Sequence, residues 1–156
     1  EEWKRAVDVN VNGAFLCSRA AVRPMIEAKW GRIINVSSGT MMMGRPNYLH
    51  YITTKAAMIG MSRSMARELG PYGITVNSIL TGYFDTERIK ELNKEKSKSL
   101  NISETEVLDK MKSLVPASRL GQPKEYGYLI SFLSSDNASY INGASIPIDG
   151  VLLKSY

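Results

Sequence analysis

Residues 31–57, GRIINVSSGTMMMGRPNYLHYITTKAA, contain the plainest structural signal in the chain. The apolar run at 33–36 has the length and composition of a buried strand. A loop rich in Ser, Gly and Met follows at 37–47, and from residue 48 onward apolar side chains recur at helical spacing. The stretch therefore predicts one strand–loop–helix unit of an α/β protein.

The same alternation of helix and strand continues on both sides of this unit. Ser103 followed by Glu106 is typical of a capping box that opens a helix, and Gln122-Pro123 places a proline at the first position of another. The predicted helices cover residues 1–29, 48–69, parts of 83–115 and 122–133, and the predicted strands cover residues 33–36, 74–80 and 145–149. This order predicts a parallel sheet with helices on its faces, the three-layer α/β arrangement.

Two prolines and one strand edge refine this prediction. Pro24 lies inside the first helical pattern and is expected to kink or interrupt that helix. Pro147 lies inside the third strand, and because proline cannot donate to a ladder, this strand is expected at a sheet edge. The strand at 33–36 is expected to present an open edge unless a further strand pairs with it.

Composition narrows the classes of function. The chain has 156 residues, 44% hydrophobic and 22% charged, which fits one globular domain or most of one. No apolar run reaches the roughly 20 residues of a membrane-spanning helix. The net charge is +5, but acidic residues interrupt the densest basic cluster, at 90–98, so a solvated face is favoured over nucleic-acid binding. With a single cysteine, no intrachain disulfide can form, and a cytoplasmic location is predicted.

Tyr51 and Lys55 carry the strongest chemical signal. Four residues apart on a helix, they share one face, and an ammonium near a phenol stabilises the phenolate. Such a tyrosine is suited to pass a proton to or from an alcohol oxygen. Ser38 follows the first predicted strand, and in an open parallel sheet ligands bind beyond the carboxyl ends of the strands. Its hydroxyl is suited to bind a substrate oxygen; Ser37 is the alternative, and either serine also serves to satisfy turn amides.

Other candidates carry weaker signals. His50 neighbours Tyr51 but faces away from it on the helix, so a surface histidine is predicted. Cys17 lies in an apolar helical pattern and is predicted to be a small buried residue. The three methionines at 41–43 are equally suited to a pocket wall and to the core. No cluster of Cys, His and carboxylate residues has the spacing of metal ligands, so no metal site is predicted.

Seven short motifs are spread over nearly the whole chain. They are residues 8–15 (DVNVNGAF), 31–38 (GRIINVSS), 51–57 (YITTKAA), 73–77 (GITVN), 82–86 (GYFDT), 132–135 (FLSS) and 148–150 (IDG). In this order they resemble the short-chain dehydrogenase/reductase family, close to its 3-oxoacyl-carrier-protein reductases. The resemblance implies a doubly wound, Rossmann-type parallel sheet, of which residues 1–156 supply the C-terminal catalytic half of a single domain, with about three strands.

The resemblance also implies a catalytic role for four residues. Tyr51 is the expected acid–base, and Ser38 is expected to bind the carbonyl or alcohol oxygen. Lys55 is expected to assist Tyr51 and to hold the hydroxyls of the nicotinamide ribose. Asn10 corresponds to a helix asparagine that steadies a water in a proton relay to the lysine, and Asn12 is its less favoured alternative.

Four residues are expected at the cofactor, which the resemblance implies to be NAD or NADP. Besides Tyr51 and Lys55, Phe84 through its backbone and Thr86 through its hydroxyl are expected to contact the nicotinamide carboxamide or a phosphate. The family's glycine-rich turn, T-G-x-x-x-G-x-G, does not occur in the chain, so the dinucleotide-binding half is expected to be absent from residues 1–156. Residues 85–115 correspond to a substrate lid.

Two positions depart from the family's pattern. Thr81 stands where the family usually has proline, which is expected to loosen the turn before Gly82. Val151 replaces the second glycine of the usual D-G-G ending. Neither position touches the implied chemistry.

Two functions remain as alternatives. The first is an oxidoreductase that transfers a hydride between a nicotinamide cofactor and a carbonyl or secondary alcohol, of 3-oxoacyl thioester, sugar or polyol type. The second is a non-catalytic fragment or scaffold derived from such an enzyme, and residues 1–156 alone are expected to be inactive. For the full-length parent, the resemblance implies a homotetramer or homodimer that acts on small molecules.

Overall fold

The computed structural model describes residues 1–153 and contains a parallel three-stranded sheet flanked by helices. The strands are β1 (Gly31–Ser38), β2 (Ile74–Thr81) and β3 (Ser145–Ile148). The helices are α1 (Glu2–Ala6), a π-helical segment (Val7–Asn12), α2 (Gly13–Ala28), α3 (Leu49–Leu69), α4 (Glu87–Leu100), α5 (Glu104–Ser113) and α6 (Pro123–Leu133). This architecture confirms the predicted α/β fold class.

The three strands run in the order β1-β2-β3 and end in register. Ser38 pairs with Thr81, and Thr81 pairs with Ile148, so the carboxyl ends of all strands lie at one edge of the sheet. β3, which contains Pro147, pairs only with β2 among the described residues, as an edge strand does. The outer side of β1 likewise has no partner strand within residues 1–153.

Helices cover both faces of β2, the buried central strand. Ile74 and Val76 on one face pack with Ala66 and Leu69 of α3, and side chains of α2 complete this cluster. Ile79 on the other face packs with Leu133 of α6. Apolar side chains on both faces of one strand require two covering layers, which is the reason that the sheet is sandwiched.

Helix termini follow the predicted capping signals closely. In α5, the Ser103 hydroxyl accepts a hydrogen bond from the Glu106 amide while the Glu106 carboxylate accepts one from the Ser103 amide. α6 begins with Pro123, and the Glu125 carboxylate accepts a hydrogen bond from the Gln122 amide, while the Glu125 amide donates to the Gln122 backbone carbonyl. The first signal depends on two residues three positions apart and the second on a single proline, so both can be read from the sequence.

β1 and α2 differ from the prediction. β1 begins two residues earlier and ends two residues later than the apolar run, because its ladder to β2 continues through Ser37 and Ser38. α2 contains Pro24 and continues to Ala28, so the proline does not interrupt it. The helix instead ends where Lys29 adopts a left-handed conformation, with φ of 53°.

Two burial predictions and one strand boundary need correction or refinement. Cys17 is exposed, because the inward-facing position of α2 is taken by its neighbour Ser18, about 100° away around the helix. Met42 and Met43 are almost half exposed, so they do not fill the core. β3 ends at Ile148, one residue before the predicted end. In the part of the chain that the structure describes, no helix combines the length and apolar character needed to cross a bilayer.

Candidate active site

The sheet edge where the strands end brings the predicted site residues into one region. Ser38 is the last residue of β1, and the turn that leads to Phe84 and Thr86 follows β2. Tyr51 and Lys55 lie one turn apart in the first half of α3, which packs against both β1 and β2. Parallel strands that end together place these segments at the usual ligand-binding end of an α/β sheet.

Two hydrogen bonds attach Lys55 to the end of β1. The Ser37 hydroxyl donates to the Lys55 carbonyl oxygen at 2.7 Å, and the Lys55 ammonium donates to the Val36 carbonyl oxygen at 2.9 Å. Ser37 is 1% exposed, and its hydroxyl is committed to the backbone of α3. Ser38 is also buried, at 5% exposed, but its hydroxyl contacts only the neighbouring Thr40 among the described residues.

Lys55 and Tyr51 share one face of α3, as their spacing predicts. The Lys55 Nζ lies 5.7 Å from the centroid of the Tyr51 ring, within the range of a cation–π contact. Partial burial lowers the pKa of the Lys55 ammonium. A cation beside a phenol favours the phenolate form, so the arrangement is suited to proton transfer by the phenol.

The Ser38 hydroxyl has a partner that the motifs did not indicate. It lies 2.8 Å from the Thr40 hydroxyl, and it accepts a bond from the Thr40 amide at 3.3 Å, capping the short 3-10 turn Gly39–Met42. Thr40 thereby orients the hydroxyl of Ser38. The only sequence signal for this role is a hydroxyl residue two positions after Ser38.

Asn10 is connected to the same turn of α3. Its side-chain amide donates to the Thr54 hydroxyl at 3.2 Å, and Thr54, which is fully buried, donates to the Tyr51 carbonyl oxygen at 2.9 Å. The π-helical segment carries Asn10, and such segments occur frequently at functional sites. Asn12 instead donates to Asp8 on an exposed face, so the structure brings Asn10 and not Asn12 to α3.

The turn after β2 is held against the segment before α6. Phe84 forms a parallel bridge with Gly121, in which the Gly121 amide donates to the Tyr83 carbonyl and the Asp85 amide donates to the Gly121 carbonyl. These bonds leave the amide and carbonyl of Phe84 itself on the opposite side. A side chain at Gly121 would collide with the Phe84 ring, because a Cβ there would lie 2.6 Å from it.

Thr86 and Thr81 complete this turn. Thr86 caps α4 by accepting a bond from the Ile89 amide, and a hydroxyl that accepts one bond is still able to donate another. The Thr81 hydroxyl lies 3.0 Å from the Tyr126 hydroxyl, and the Gly82 amide donates to the Ile148 carbonyl oxygen. The turn that follows Thr81 is therefore held on both sides.

The remaining candidates lie apart from this centre. His50 approaches Glu2 at 3.5 Å, away from Tyr51. The Tyr48 ring, by contrast, meets the Tyr51 ring edge-on at 6.3 Å between centroids, a contact that the motifs did not indicate. Within residues 1–153, no group of three His, Cys, Asp or Glu side chains is arranged to hold a metal ion.

Comparison with known proteins identifies a family. A family model described as enoyl-(acyl carrier protein) reductase matches residues 1–150. Among curated proteins, the 3-oxoacyl-(acyl-carrier-protein) reductase FabG of Pseudomonas aeruginosa is 36% identical over 155 residues, which cover 99% of this chain and 58% of that protein. The chain therefore spans somewhat more than half the length of this relative.

Solved structures agree. Sorbitol-6-phosphate 2-dehydrogenase SrlD from Erwinia amylovora superposes with a TM-score of 0.91 at 30% identity, covering 97% of this chain and 60% of that one. A short chain dehydrogenase family protein from Francisella tularensis gives a TM-score of 0.75 at 31% identity, covering 80% of this chain and 51% of that one. Because the family model covers nearly every residue and the fold agrees, the chain belongs to the short-chain dehydrogenase/reductase family of oxidoreductases.

Proposed function

We propose that residues 1–156 are the catalytic part of an enzyme that interconverts a carbonyl and a secondary alcohol with NAD or NADP. The observation that carries this proposal is the double attachment of Lys55 to β1 through Ser37 and Val36. It fixes the turn of α3 that bears Tyr51 and Lys55 beside the strand end that bears Ser38. A phenol, an ammonium and a hydroxyl at one sheet edge form a set suited to acid–base chemistry on one oxygen atom.

Each residue of the set has a defined task in the proposed reaction. In reduction, the Tyr51 hydroxyl donates a proton to the carbonyl oxygen, and in oxidation the phenolate takes it from the alcohol. Ser38, oriented by Thr40, donates a hydrogen bond to the same oxygen, which stabilises charge that develops there. Lys55 stabilises the phenolate. Asn10 holds a water molecule in the relay that carries protons to and from Lys55.

The same residues fit the nicotinamide end of a dinucleotide. Lys55 uses one N–H for the Val36 carbonyl, and an ammonium has three, so two remain for ribose hydroxyls. The Phe84 backbone and the Thr86 hydroxyl are suited to the carboxamide or a phosphate. When bound, the nicotinamide supplies or accepts the hydride at the carbon atom.

The surroundings of the set suggest further features of the intact protein. Two of the relatives are named for 3-oxoacyl-(acyl-carrier-protein) and sorbitol 6-phosphate, and both of these compounds contain a carbonyl or secondary alcohol. We infer a small-molecule substrate of this kind, a lid formed by residues 85–115 that includes α4 and α5, a cytoplasmic location, and a homotetramer or homodimer. The exposed Phe15 and Leu16 of α2 supply apolar surface for such an assembly.

Substitution of Tyr51 in the intact protein tests the proposal. Tyr51→Phe keeps the ring and removes the proton donor, so turnover under saturating cofactor and substrate is expected to fall about 10²- to 10⁴-fold. Tyr48→Phe is the matched control, because it removes a hydroxyl from the ring that lies against Tyr51. This substitution is expected to change turnover little. Activity of Tyr51→Phe within a few-fold of the parent would show that Tyr51 is not the acid–base. Absence of turnover for a panel of ketones and alcohols with both cofactors would instead favour the non-catalytic alternative.

A further inference from the structure

A cavity of about 150 Å³ lies between α4, α5 and the loop that precedes α3. Three basic residues line it: Arg45 from the loop, Lys96 from α4 and Lys110 from α5. They come from three different segments of the chain, so their convergence is a product of the fold. The volume is below the roughly 300 Å³ of sites that enclose a whole small molecule, so the cavity is sized for one part of a ligand.

Of the three cations, Lys110 interacts electrostatically with Glu106, whereas Arg45 and Lys96 have no carboxylate partner among the described residues of the cavity. No acidic residue lines the cavity, and within residues 1–153 no carboxylate forms an ion pair with Arg45 or Lys96. Partial burial, and then the nearby charge of Arg45, lower the pKa of Lys96. Two cations that approach each other in a partly desolvated space are stabilised by an anion between them.

Apolar side chains form the rest of the cavity wall. Val107 and Met111 of α5 are buried and make its floor, and Ile102 lies beside them. Leu100 and Leu114, which stand at the ends of α4 and α5, also line it but are 59% and 60% exposed. An apolar segment of a ligand would cover these two leucines, and burial of such surface favours binding.

A chain of side-chain contacts connects the cavity with Tyr51. The guanidinium carbon of Arg45 lies 4.8 Å from the centroid of the Tyr48 ring, and this ring contacts Tyr51 edge-on. Tyr83, which also lines the cavity, directly follows Gly82 at the carboxyl end of β2. A ligand group in the cavity is therefore next to the region in which Tyr51 is proposed to act.

We propose that this cavity anchors the substrate of the enzyme, and that the substrate carries an anionic group, carboxylate or phosphate, on an apolar segment away from its reacting carbonyl. The proposal rests on the function proposed above. Arg45 and Lys96 bind the anion, with Lys110 contributing charge at the rim, and the leucines cover the apolar segment. Arg45, Lys96 and Lys110 are thus specificity residues, and they take no part in the transfer of the hydride or the proton.

A binding measurement without turnover tests the site. Hexanoate, hexyl phosphate and hexanol are titrated into the intact protein by calorimetry, because the three probes share one apolar chain and differ in charge. Both anions are expected to bind at least about tenfold more tightly than hexanol, since a charge-assisted contact changes affinity by about 10- to 100-fold. The tighter anion identifies the group. Equal binding of all three probes would overturn the proposal.

Two lysines of α4 provide a matched pair of variants. Lys96→Met is expected to weaken both anions about tenfold, whereas Lys94→Met removes the same charge from an exposed position outside the cavity and is expected to leave binding unchanged. Lys96→Arg keeps the charge and is expected to retain most of the affinity. It therefore tests the role of the charge even if Lys96→Met fails to fold. An equal loss of anion affinity in Lys94→Met and Lys96→Met would mean that the protein attracts anions only through its overall charge, and it would contradict the proposed site.

Kinetics separate this proposal from the proposed function. With a keto acid and its neutral amide as substrates, Lys96→Met is expected to raise KM for the acid alone, with kcat unchanged. Equal KM changes for both substrates would overturn the anchoring role and leave the oxidoreductase intact. Tight anion binding together with no turnover of any carbonyl would reject the proposed function and leave the anion site intact.

Discussion

The Ser37 hydroxyl donates a hydrogen bond to the carbonyl oxygen of Lys55 at 2.7 Å, which joins the end of β1 to the helix that carries Tyr51. The bond is partly buried and connects residues 18 positions apart. We expect Ser37→Ala to lower the free energy of unfolding by about 1 kcal/mol, the usual net value of one such bond. It is also expected to raise KM for the cofactor, because Lys55 loses one of its two attachments.

Ser38→Ala provides the comparison, because Ser37 is expected to position Lys55 whereas Ser38 is proposed to contact the substrate. Its hydroxyl contacts Thr40 locally, and its proposed task is at the substrate oxygen. Ser38→Ala is therefore expected to reduce turnover more than cofactor affinity, measured by steady-state kinetics and urea unfolding of both variants. The same kinetic profile in both serine variants would contradict the distinction drawn between them.

Lys55 is expected to act on two kinetic quantities at once. Lys55→Ala removes the cation beside the Tyr51 ring and the ammonium proposed to hold the ribose, so both turnover and cofactor affinity should fall. Lys55→Arg should restore only part of either, because a planar guanidinium does not replace a compact ammonium. Fluorescence titration of the cofactor, alongside kcat, measures the two effects. A loss confined to turnover would remove Lys55 from the proposed cofactor site.

Glu125 gives the protein an acid-sensitive contact. Both terminal nitrogens of Arg119 donate to its carboxylate, at 2.8 and 2.7 Å, and the Gln122 amide donates to it as well. The Arg119 bonds, followed by the Gln122 bond, lower the pKa of Glu125 from 4.5 to about 2. A lowered carboxyl pKa contributes stability that is complete above the unfolded value and is lost as the pH falls towards the folded one.

The stability of Glu125→Gln should therefore converge with that of the parent in acid. Urea midpoints of the two proteins are expected to differ most above about pH 5 and to approach each other as the pH falls towards about 2. Glu95→Gln, on the exposed face of α4, is the control and should show no such convergence. A difference for Glu125→Gln that is the same at every pH would contradict the assignment.

Val151 holds a backbone conformation that suits glycine. Its φ is 69°, and its amide donates to the Asp149 carboxylate within the turn after β3. A β-branched residue in this conformation destabilises the folded state by about 1–2 kcal/mol. Glycine removes this cost but also makes the unfolded chain more flexible, which offsets somewhat less than about 1 kcal/mol of the stabilisation. We expect Val151→Gly to raise the free energy of unfolding by up to about 1 kcal/mol.

Val151→Ala provides the check on that explanation. Alanine retains the Cβ that crowds the left-handed region but lacks the branch, so its gain should be smaller than that of Val151→Gly. Thermal unfolding of the three proteins ranks them. A larger gain for alanine than for glycine would mean that the effect comes from the side chain's surroundings and not from φ.

Purified residues 1–156 are expected to self-associate. The outer side of β1 has no partner strand among the described residues, and Phe15 and Leu16 expose about half of their surface on α2. Open strand edges and apolar helix faces both favour pairing with another chain. Sedimentation should show dimers or larger species, and replacing Phe15 and Leu16 by serine should reduce them. A monodisperse monomer that melts cooperatively would contradict this prediction.

Local signals predicted the starts of α5 and α6, the edge position of β3 and the shared helix face of Tyr51 and Lys55. The helix features depend on residues within one or two helical turns of each other, and the edge position of β3 depends on Pro147, which has no backbone N–H to donate to a neighbouring strand. The length of β1 was not predictable in this way, because Ser37 and Ser38 become strand residues only through their ladder to β2. The burial of Ser18 in place of Cys17 likewise depends on how α2 is rotated against α3, which its apolar pattern leaves open.

Partners of the site residues were harder still to foresee. Thr54 and Asn10 are 44 positions apart, and the bond between them requires the π-helical segment, for which the sequence gives no signal. Thr40 lies in the predicted loop and Tyr48 at the start of the predicted helix, and neither position indicates a contact with Ser38 or Tyr51. The cavity lined by Arg45 and Lys96 has the same origin, since its cations converge from separate segments.

The π-helical segment Val7–Asn12 also determines which changes in chain length the protein can tolerate. Such a segment corresponds to an α-helix with one inserted residue. Deleting one residue there would restore a regular helix without rotating the flanking parts, because the π-helical turn absorbs the extra residue, and would instead change which side chains the segment presents to α3. Asn10 would then turn away from Thr54, although every side chain needed for the contact was still encoded. Across related genes, a one-codon gap in this segment should disrupt the site more than most substitutions within it.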